Sequence, residues 1–300
     1  MGSAMVPVLL DAGHEVIVLD NLMYGQISLL GVATRKKFTF VRGDAREESL
    51  LRELMVKVDA IIPLAAVVGA PACDRDPLLT KSVNLEAIRS LIKLRSSEQI
   101  ILVPTTNSGY GTKTGDVYCT EETPLEPISL YGKVKVEAEK AILESGNSIS
   151  LRLATVFGVS PRLRIDLLVN TFVYEAIKRG YIIIYEKDFK RNYVHIRDVA
   201  DCFAFCLDKF DSLKNEAYNL GQDEANYSKG ELAYIVKEYV PKFNIIFSDI
   251  YTDPDKRNYI VSSAKLRERG FAAQYSVRQG IGELLTAYEM LPVWGILQNA

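Results

Sequence analysis

The sequence predicts an α/β fold, a doubly wound parallel sheet with a smaller α/β lobe over its strand ends. Strand-like apolar runs alternate with amphipathic stretches through the first half of the chain. One run, Gln99-Ile100-Ile101-Leu102-Val103-Pro104, has the continuous apolar character of a parallel strand buried on both faces. The third observation is size. With 300 residues, 48% hydrophobic and 25% charged, the chain can bury one large α/β core and a smaller partner.

Taken in order, helical signals from Ala4 to Leu10 end at Gly13, a glycine placed to close a helix C-terminus. Strands follow over Glu15 to Leu19, Phe38 to Arg42 and Ala60 to Leu64. A helix from about Leu79 to Arg95 precedes the Gln99 strand, and a helix carrying Tyr131 precedes the strand Ser148 to Leu153. From about Phe157 the alternation loosens into turn-rich segments. The expected division is a sheet domain of residues 1–157 and 189–220, with a smaller lobe of residues 158–188 and 221–300.

Composition narrows the function. A net charge of -2, from 36 basic and 38 acidic side chains, gives no reason to expect a nucleic-acid partner. Arg35-Lys36-Lys37 reads as a solvated turn. No apolar run reaches the ~18 residues of a bilayer span, and no signal peptide is expected. Cys73, Cys119, Cys202 and Cys206 lack metal-ligand spacing, and only two histidines are present, so no metal site is expected. Cys202 and Cys206 read as small core residues one helical turn apart. A reducing, cytoplasmic setting is the default.

Tyr131 and Lys135 carry the strongest chemical signal. Four positions apart on a helix, they project from one face. A phenol titrates near pH ~10, and a nearby ammonium favours its phenolate, so the pair can take a proton from an alcohol near neutrality. The bland alternative is a solvated helix face. The setting favours chemistry, because the Gln99 strand ends in Thr105-Thr106-Asn107-Ser108-Gly109-Tyr110-Gly111. Ligands of open α/β sheets sit at the carboxyl ends of strands, where the Thr106 hydroxyl and the Tyr131 phenol can converge on one oxygen. A turn that merely caps the next helix is the competing reading.

A dinucleotide site is expected at the same ends. Asp20 closes the Glu15 strand and is followed by Asn21; an acid there bonds adenosine ribose hydroxyls and favours NAD over NADP. A turn cap is the alternative for Asp20. Asp44 ends the next strand, facing the adenine edge. The small side chains of Leu64-Ala65-Ala66 allow close backbone approach. Such a fold needs a first strand and spaced glycines before its first helix. Here the chain opens at Met1-Gly2-Ser3, directly at that helix, with Gly2 in the place of the last glycine. A truncated sequence or a misassigned start is expected, in preference to a sheet lacking its central strand.

Together these residues resemble the extended short-chain dehydrogenase/reductase family, in its NAD-dependent nucleotide-sugar epimerase/dehydratase branch. The likeness also rests on Leu151-Arg152-Leu153-Ala154-Thr155-Val156-Phe157-Gly158, on Arg191 to Ala200, on Tyr218-Asn219-Leu220-Gly221 and on Asp255-Lys256-Arg257. It implies a Rossmann-like fold, a homodimer and a nucleotide-sugar substrate. By motif, Tyr131 is similar to the catalytic base, Lys135 to the lysine that lowers its pKa and bonds the nicotinamide ribose, and Thr106 to the catalytic Ser or Thr. Asn84 resembles the asparagine supporting the active-site helix. Arg191 and Arg257 resemble residues that grip the nucleotide diphosphate; from the residues alone they are exposed arginines. His195 reads as a packed histidine rather than a base.

The implied chemistry is reversible hydride transfer through a keto sugar, which inverts a carbon when the sugar turns over. The family's 4,6-dehydratases carry an Asp-Glu pair where this chain has Asn107 and Ser108, so loss of water is disfavoured. Asn107 and Ser108 are substrate candidates, as is Asn170 in Asp166-Leu167-Leu168-Val169-Asn170, although that stretch departs from the hexose 4-epimerases. An epimerase is the leading expectation. A reductase or dehydratase of the same family, or an idle dinucleotide-binding protein, is the alternative.

Overall fold

The structure, a computed structural model, describes residues 1–113, 118–250 and 258–291. Parallel strands β1 (Val16–Asp20) and β2 (Phe38–Arg42) pair in register, Asp20 opposite Arg42. A second parallel sheet takes β3 (Ala60–Ile61), β4 (Ile100–Thr106) and, beyond the short β5 (Tyr118–Cys119), β6 (Ser148–Leu153). The strands β7 (Thr155–Phe157), β8 (Tyr181–Ile184) and β9 (Lys190–His195) follow, and β10 (Glu216–Leu220) completes that sheet in the order β10-β6-β4-β3. In the later part, β11 (Asn226–Ser228) pairs antiparallel with β9, β12 (Asn244–Phe247) parallel with β8, and β13 (Ile260–Val261) parallel with β5.

Alternation along β4 shows why this is a sandwich. Ile101 and Val103 enter a core with Leu51, Ile88, Leu91, Ala138 and Ile142, while Leu102 enters another with Met5, Leu9, Ile149, Leu151 and Phe203. Helices therefore cover both faces: α2 (Glu48–Met55) on the first, α1 (Gly2–Asp11) on the second. After a short α3 (Ala70–Arg75), the expected helix from Leu79 to Arg95 runs as α4 (Pro77–Lys81) and α5 (Ala87–Leu94), joined by a π-helical turn at Ser82–Glu86. Then come α6 (Leu130–Glu144), α7 (Leu168–Lys178) and α8 (Ile196–Asp208). A third core, with Phe157, Val169, Phe172, Leu232, Val236 and Leu284, lies in the later part of the chain. Among the described residues no helix is long and apolar enough to cross a membrane, and no group of three or more His, Cys, Asp or Glu side chains could hold a metal ion.

His195 joins the sheet domain to this third core. It ends β9 and caps α8, its Nδ1 accepting from the Arg197 backbone N–H at 3.2 Å. The other ring nitrogen therefore carries the proton and donates to Glu283 Oε2 at 3.1 Å. Gly158 makes room for the ring: its φ is +105°, and a Cβ there would lie 2.4 Å from His195 Nε2. Burial, with Arg197 nearby, lowers the imidazole pKa to about 4. Unfolded histidine takes its proton near pH ~6.5. As pH falls from there, the unfolded chain binds a proton that the folded one refuses, so stability is lost down to about pH 4. The chain has two histidines, which makes the assignment direct: in an NMR titration the His195 resonance should stay in its neutral position to pH ~5 and have its midpoint at about 4.

Candidate active site

The site begins where β4 runs out of apolar residues. Pro104 closes the buried run, and its carbonyl accepts from Lys135 Nζ at 3.0 Å. Thr106 then caps a single helical turn over Asn107–Tyr110: its Oγ1 accepts from the Ser108 N–H at 3.1 Å and donates to Ser108 Oγ at 3.0 Å. Gly111 ends that turn with φ +72°, in a space where a Cβ would lie 2.3 Å from the Glu126 carbonyl oxygen. The chain returns alongside, with Glu126 N–H donating to the Gly109 carbonyl at 2.8 Å. Ser129 caps α6 through Gly132 N–H at 3.2 Å. Gly132 packs so closely that a Cβ would sit 3.0 Å from Pro127 Cβ and 3.4 Å from the Ser108 carbonyl oxygen. The helix turn bearing Tyr131 is thus seated on the turn that follows Thr106.

Tyr131 is half-buried and Lys135 buried. Burial pulls the lysine pKa down to about 8, with a small opposing effect from the Cys73 thiol. Among the described residues the ammonium has one hydrogen bond, to a neutral carbonyl, and no carboxylate paired with it, so it keeps its proton at neutrality but not far above. Asn84 lies in the π-helical turn and uses both ends of its amide on Val67, accepting from its N–H and donating to its carbonyl at 2.8 Å each. It therefore fixes the segment after Leu64-Ala65-Ala66 rather than meeting a ligand itself.

The second group gathers at the ends of β1 and β2. Asp20 is exposed, its Oδ1 accepting from the Leu22 N–H at 2.7 Å, and Asn21 Oδ1 accepts from the Met23 N–H at 3.0 Å. Asp44 is gripped by Arg46, Nε at 2.9 Å and Nη2 at 2.6 Å, and this hydrogen bonding holds its pKa down at about 2. Gly2 starts α1 against Leu64, whose Cδ1 would be 3.3 Å from a Cβ at that glycine. An exposed acid, a half-buried one and an asparagine at parallel strand ends, next to a helix N-terminus, suit the adenosine end of a dinucleotide.

The proposed substrate residues divide. Asn107 is 1% exposed and both atoms of its amide lack a hydrogen-bond partner among the described residues. Ser108 is tied to Thr106. Asn170 does not join them: its Oδ1 accepts from the Gly158 N–H at 3.0 Å, and its Nδ2 donates to the Arg164 and Gly158 carbonyls at 2.9 and 3.3 Å. With its amide occupied this way, it clasps the 158–164 loop instead of presenting itself to a substrate. Arg191 is buried in β9 opposite Tyr227, not an exposed arginine. Arg257 lies outside the described residues. Sequence reading missed Arg46 and the buried pair Glu139–Arg152. The second had a signal, since Glu139 is one helical turn beyond Lys135 and Arg152 interrupts a buried strand.

The sequence profile of the NAD dependent epimerase/dehydratase family matches residues 1–221. The chain belongs to that family. It is 29% identical over 246 residues to a UDP-glucose 4-epimerase of Lacticaseibacillus casei, covering 74% of this chain and 73% of the other. UDP-glucuronic acid decarboxylase 1 of Arabidopsis thaliana is 25% identical, covering 96% of this chain and 67% of the other. Among solved structures, the UDP-glucose 4-epimerase of Thermotoga maritima with UDP-glucose superposes with TM-score 0.84 at 21% identity, covering 96% and 95% of the two chains. A dTDP-glucose 4,6-dehydratase of Bacillus anthracis in complex with NAD gives 0.83 at 21% identity, covering 96% and 93%. The fold is therefore Rossmann-like, NAD is the cofactor, and the family modifies nucleotide sugars.

The charge on Lys135 should be directly observable. In protein labelled with 13Cε-lysine, the resonance lost in Lys135→Arg should titrate with a midpoint of about 8, against the ordinary 10.5. A midpoint at the ordinary value would mean that the ammonium is solvated.

Proposed function

We propose that the protein is an NAD-dependent nucleotide-sugar epimerase that works through a transient keto sugar. The observation that carries this reading is the seat of α6: Lys135 is bonded to the Pro104 carbonyl at 3.0 Å, one turn from Tyr131, where β4 delivers Thr106. Tyr131 takes the proton of a sugar hydroxyl as the carbon is oxidised, and the Lys135 ammonium favours the phenolate it needs. Thr106 gives up its bond to Ser108 and donates to the same oxygen. NAD, when bound, would supply the hydride chemistry. Asp20, Asn21 and Asp44 would hold its adenosine end, with Gly2 and Leu64-Ala65-Ala66 allowing close approach. Arg191 and Arg257 are assigned to the nucleotide diphosphate.

Inversion is favoured over loss of water because positions 107 and 108 hold an amide and a hydroxyl, neither of which can act as a carboxylic acid. The epimerases among the relatives support the same choice. The decarboxylase likeness, which covers 96% of this chain, keeps a second reaction in view. Incubation with UDP-, GDP-, dTDP- and CDP-sugars, UDP-glucuronic acid included, and NMR of the products tests both. An inverted sugar is the expected product; carbon dioxide release from the uronic acid, with no inversion of any sugar, would overturn the epimerase assignment.

Two substitutions probe the roles. Tyr131→Phe should lower kcat roughly a thousandfold, the usual worth of a positioned acid–base group. Asp20→Ala should raise the NAD Kd about tenfold or more, as expected when hydrogen bonds from a charged group are lost. Titration of the folded apoprotein with NAD reads the second effect without turnover, and an unchanged Kd would remove Asp20 from the site.

A further inference from the structure

The proposed reacting residues do not hold themselves in place. Tyr131, Lys135 and Glu139 succeed one another at single turns of α6. Glu139 is 4% exposed and takes directed bonds from two strands of the sheet. Its Oε2 accepts from Thr105 Oγ1 at 2.7 Å and Ser150 Oγ at 2.6 Å. Its Oε1 accepts from Arg152 Nη2 at 2.7 Å and Nε at 3.0 Å. Thr105 immediately precedes Thr106, and pleating sends the two side chains to opposite faces of β4. One carboxylate therefore grips both the helix that carries Tyr131 and the strand end that carries Thr106.

The same network reaches behind the intervening turn. Arg152 Nη1 donates to Tyr110 OH and to the Glu121 carbonyl, each at 3.1 Å. Tyr110, the last residue of the Asn107–Tyr110 turn, donates in turn to Asn219 Oδ1 on β10 at 2.7 Å. Apolar burial is by itself indifferent to direction. A bidentate ion pair with two further hydroxyl donors is not. Nor is a buried ion pair the obvious way to gain stability, since well-packed apolar residues do as well or better.

We propose that Glu139 is a positioning residue for the reaction, fixing the rotation of α6 so that Tyr131 and Lys135 face Thr106. This rests on reading those three as the reacting set. Three variants test it: Glu139→Gln, Glu139→Asp, and Leu232→Ala as a destabilised control in the separate later core. Each is assayed on a nucleotide sugar that the wild type converts. Each is also labelled with 13Cζ-tyrosine, the Tyr131 resonance being identified by its loss in Tyr131→Phe.

Glu139→Gln should lose on the order of a hundredfold in kcat, the cost of a reacting group displaced by about 1 Å, with KM within about twofold because substrate contacts persist. Glu139→Asp, a methylene short but still charged, should recover part of the loss. The Tyr131 resonance should move in both and stay in place in Leu232→Ala. A folded Glu139→Gln protein with lowered Tm but wild-type kcat and an unmoved Tyr131 resonance would overturn the proposal. If Glu139→Gln does not fold, Glu139→Asp decides by the same two readouts. If the wild type converts no nucleotide sugar, the epimerase assignment fails, and the Tyr131 resonance alone decides the role of Glu139.

Discussion

Two cations are withdrawn from water around the end of β4, and the site depends on how differently each is answered. Arg152 meets a full carboxylate. Burial opposes its charge, but the bonds and charge of Glu139 outweigh that cost and hold the guanidinium above its ordinary pKa. Lys135 meets one carbonyl oxygen, and burial prevails, bringing its pKa to about 8. The first charge is thus permanent and can serve as a fixed anchor. The second is only just retained at neutrality, and an ammonium short of partners gains most from a phenolate placed one helical turn away. Removing either member of the Glu139–Arg152 pair alone would leave a buried charge unanswered, at about 3–5 kcal/mol.

The cofactor end follows a looser logic. At β1 and β2 the acids are at or near the surface, and their bonds are local: Asp20 with Leu22, Asn21 with Met23, Asp44 with Arg46. Short turns of this kind orient carboxylates without burying them, leaving lone pairs for a ribose or an adenine edge. The proposed chemical end is braced by buried groups, Lys135 and Glu139, while the proposed recognition end is more exposed and held by local bonds. That division matches the work each must do, since proton transfer needs placement to fractions of an ångström and ribose binding tolerates more.

What was legible in the sequence is what local spacing encodes. Tyr131 and Lys135 share a face because they are four apart, and β4 was visible as an unbroken apolar run. The strand expected over Ala60 to Leu64 stops at Ile61, because Pro63 has no N–H to give a ladder. The helix expected from Leu79 to Arg95 is interrupted at Ser82–Glu86, where Asn84 turns inward to Val67. Long-range partners were not legible. Nothing in the sequence around Asn170 says that Gly158 and Arg164 will saturate its amide, and nothing near Glu139 says that two strands will offer it hydroxyls. Spacing reveals which side chains share a face, but not what the tertiary fold sets against that face.

In the proposed site, the Asn107 amide is where the choice among reactions on a shared scaffold would be made. Its amide is buried without a partner among the described residues, and a group left in that state costs about 1–3 kcal/mol. The position therefore sets aside stability to keep a donor and an acceptor beside Thr106. A carboxyl in the same surroundings would be driven toward its protonated form by burial and would become a general acid able to expel a hydroxyl group. An amide in that place can offer hydrogen bonds but has no acidic proton to transfer. On the proposed assignment of Tyr131, Lys135 and Thr106 as the oxidation machinery, the keto sugar would be open to renewed reduction and closed to dehydration, which is why inversion is the reaction proposed.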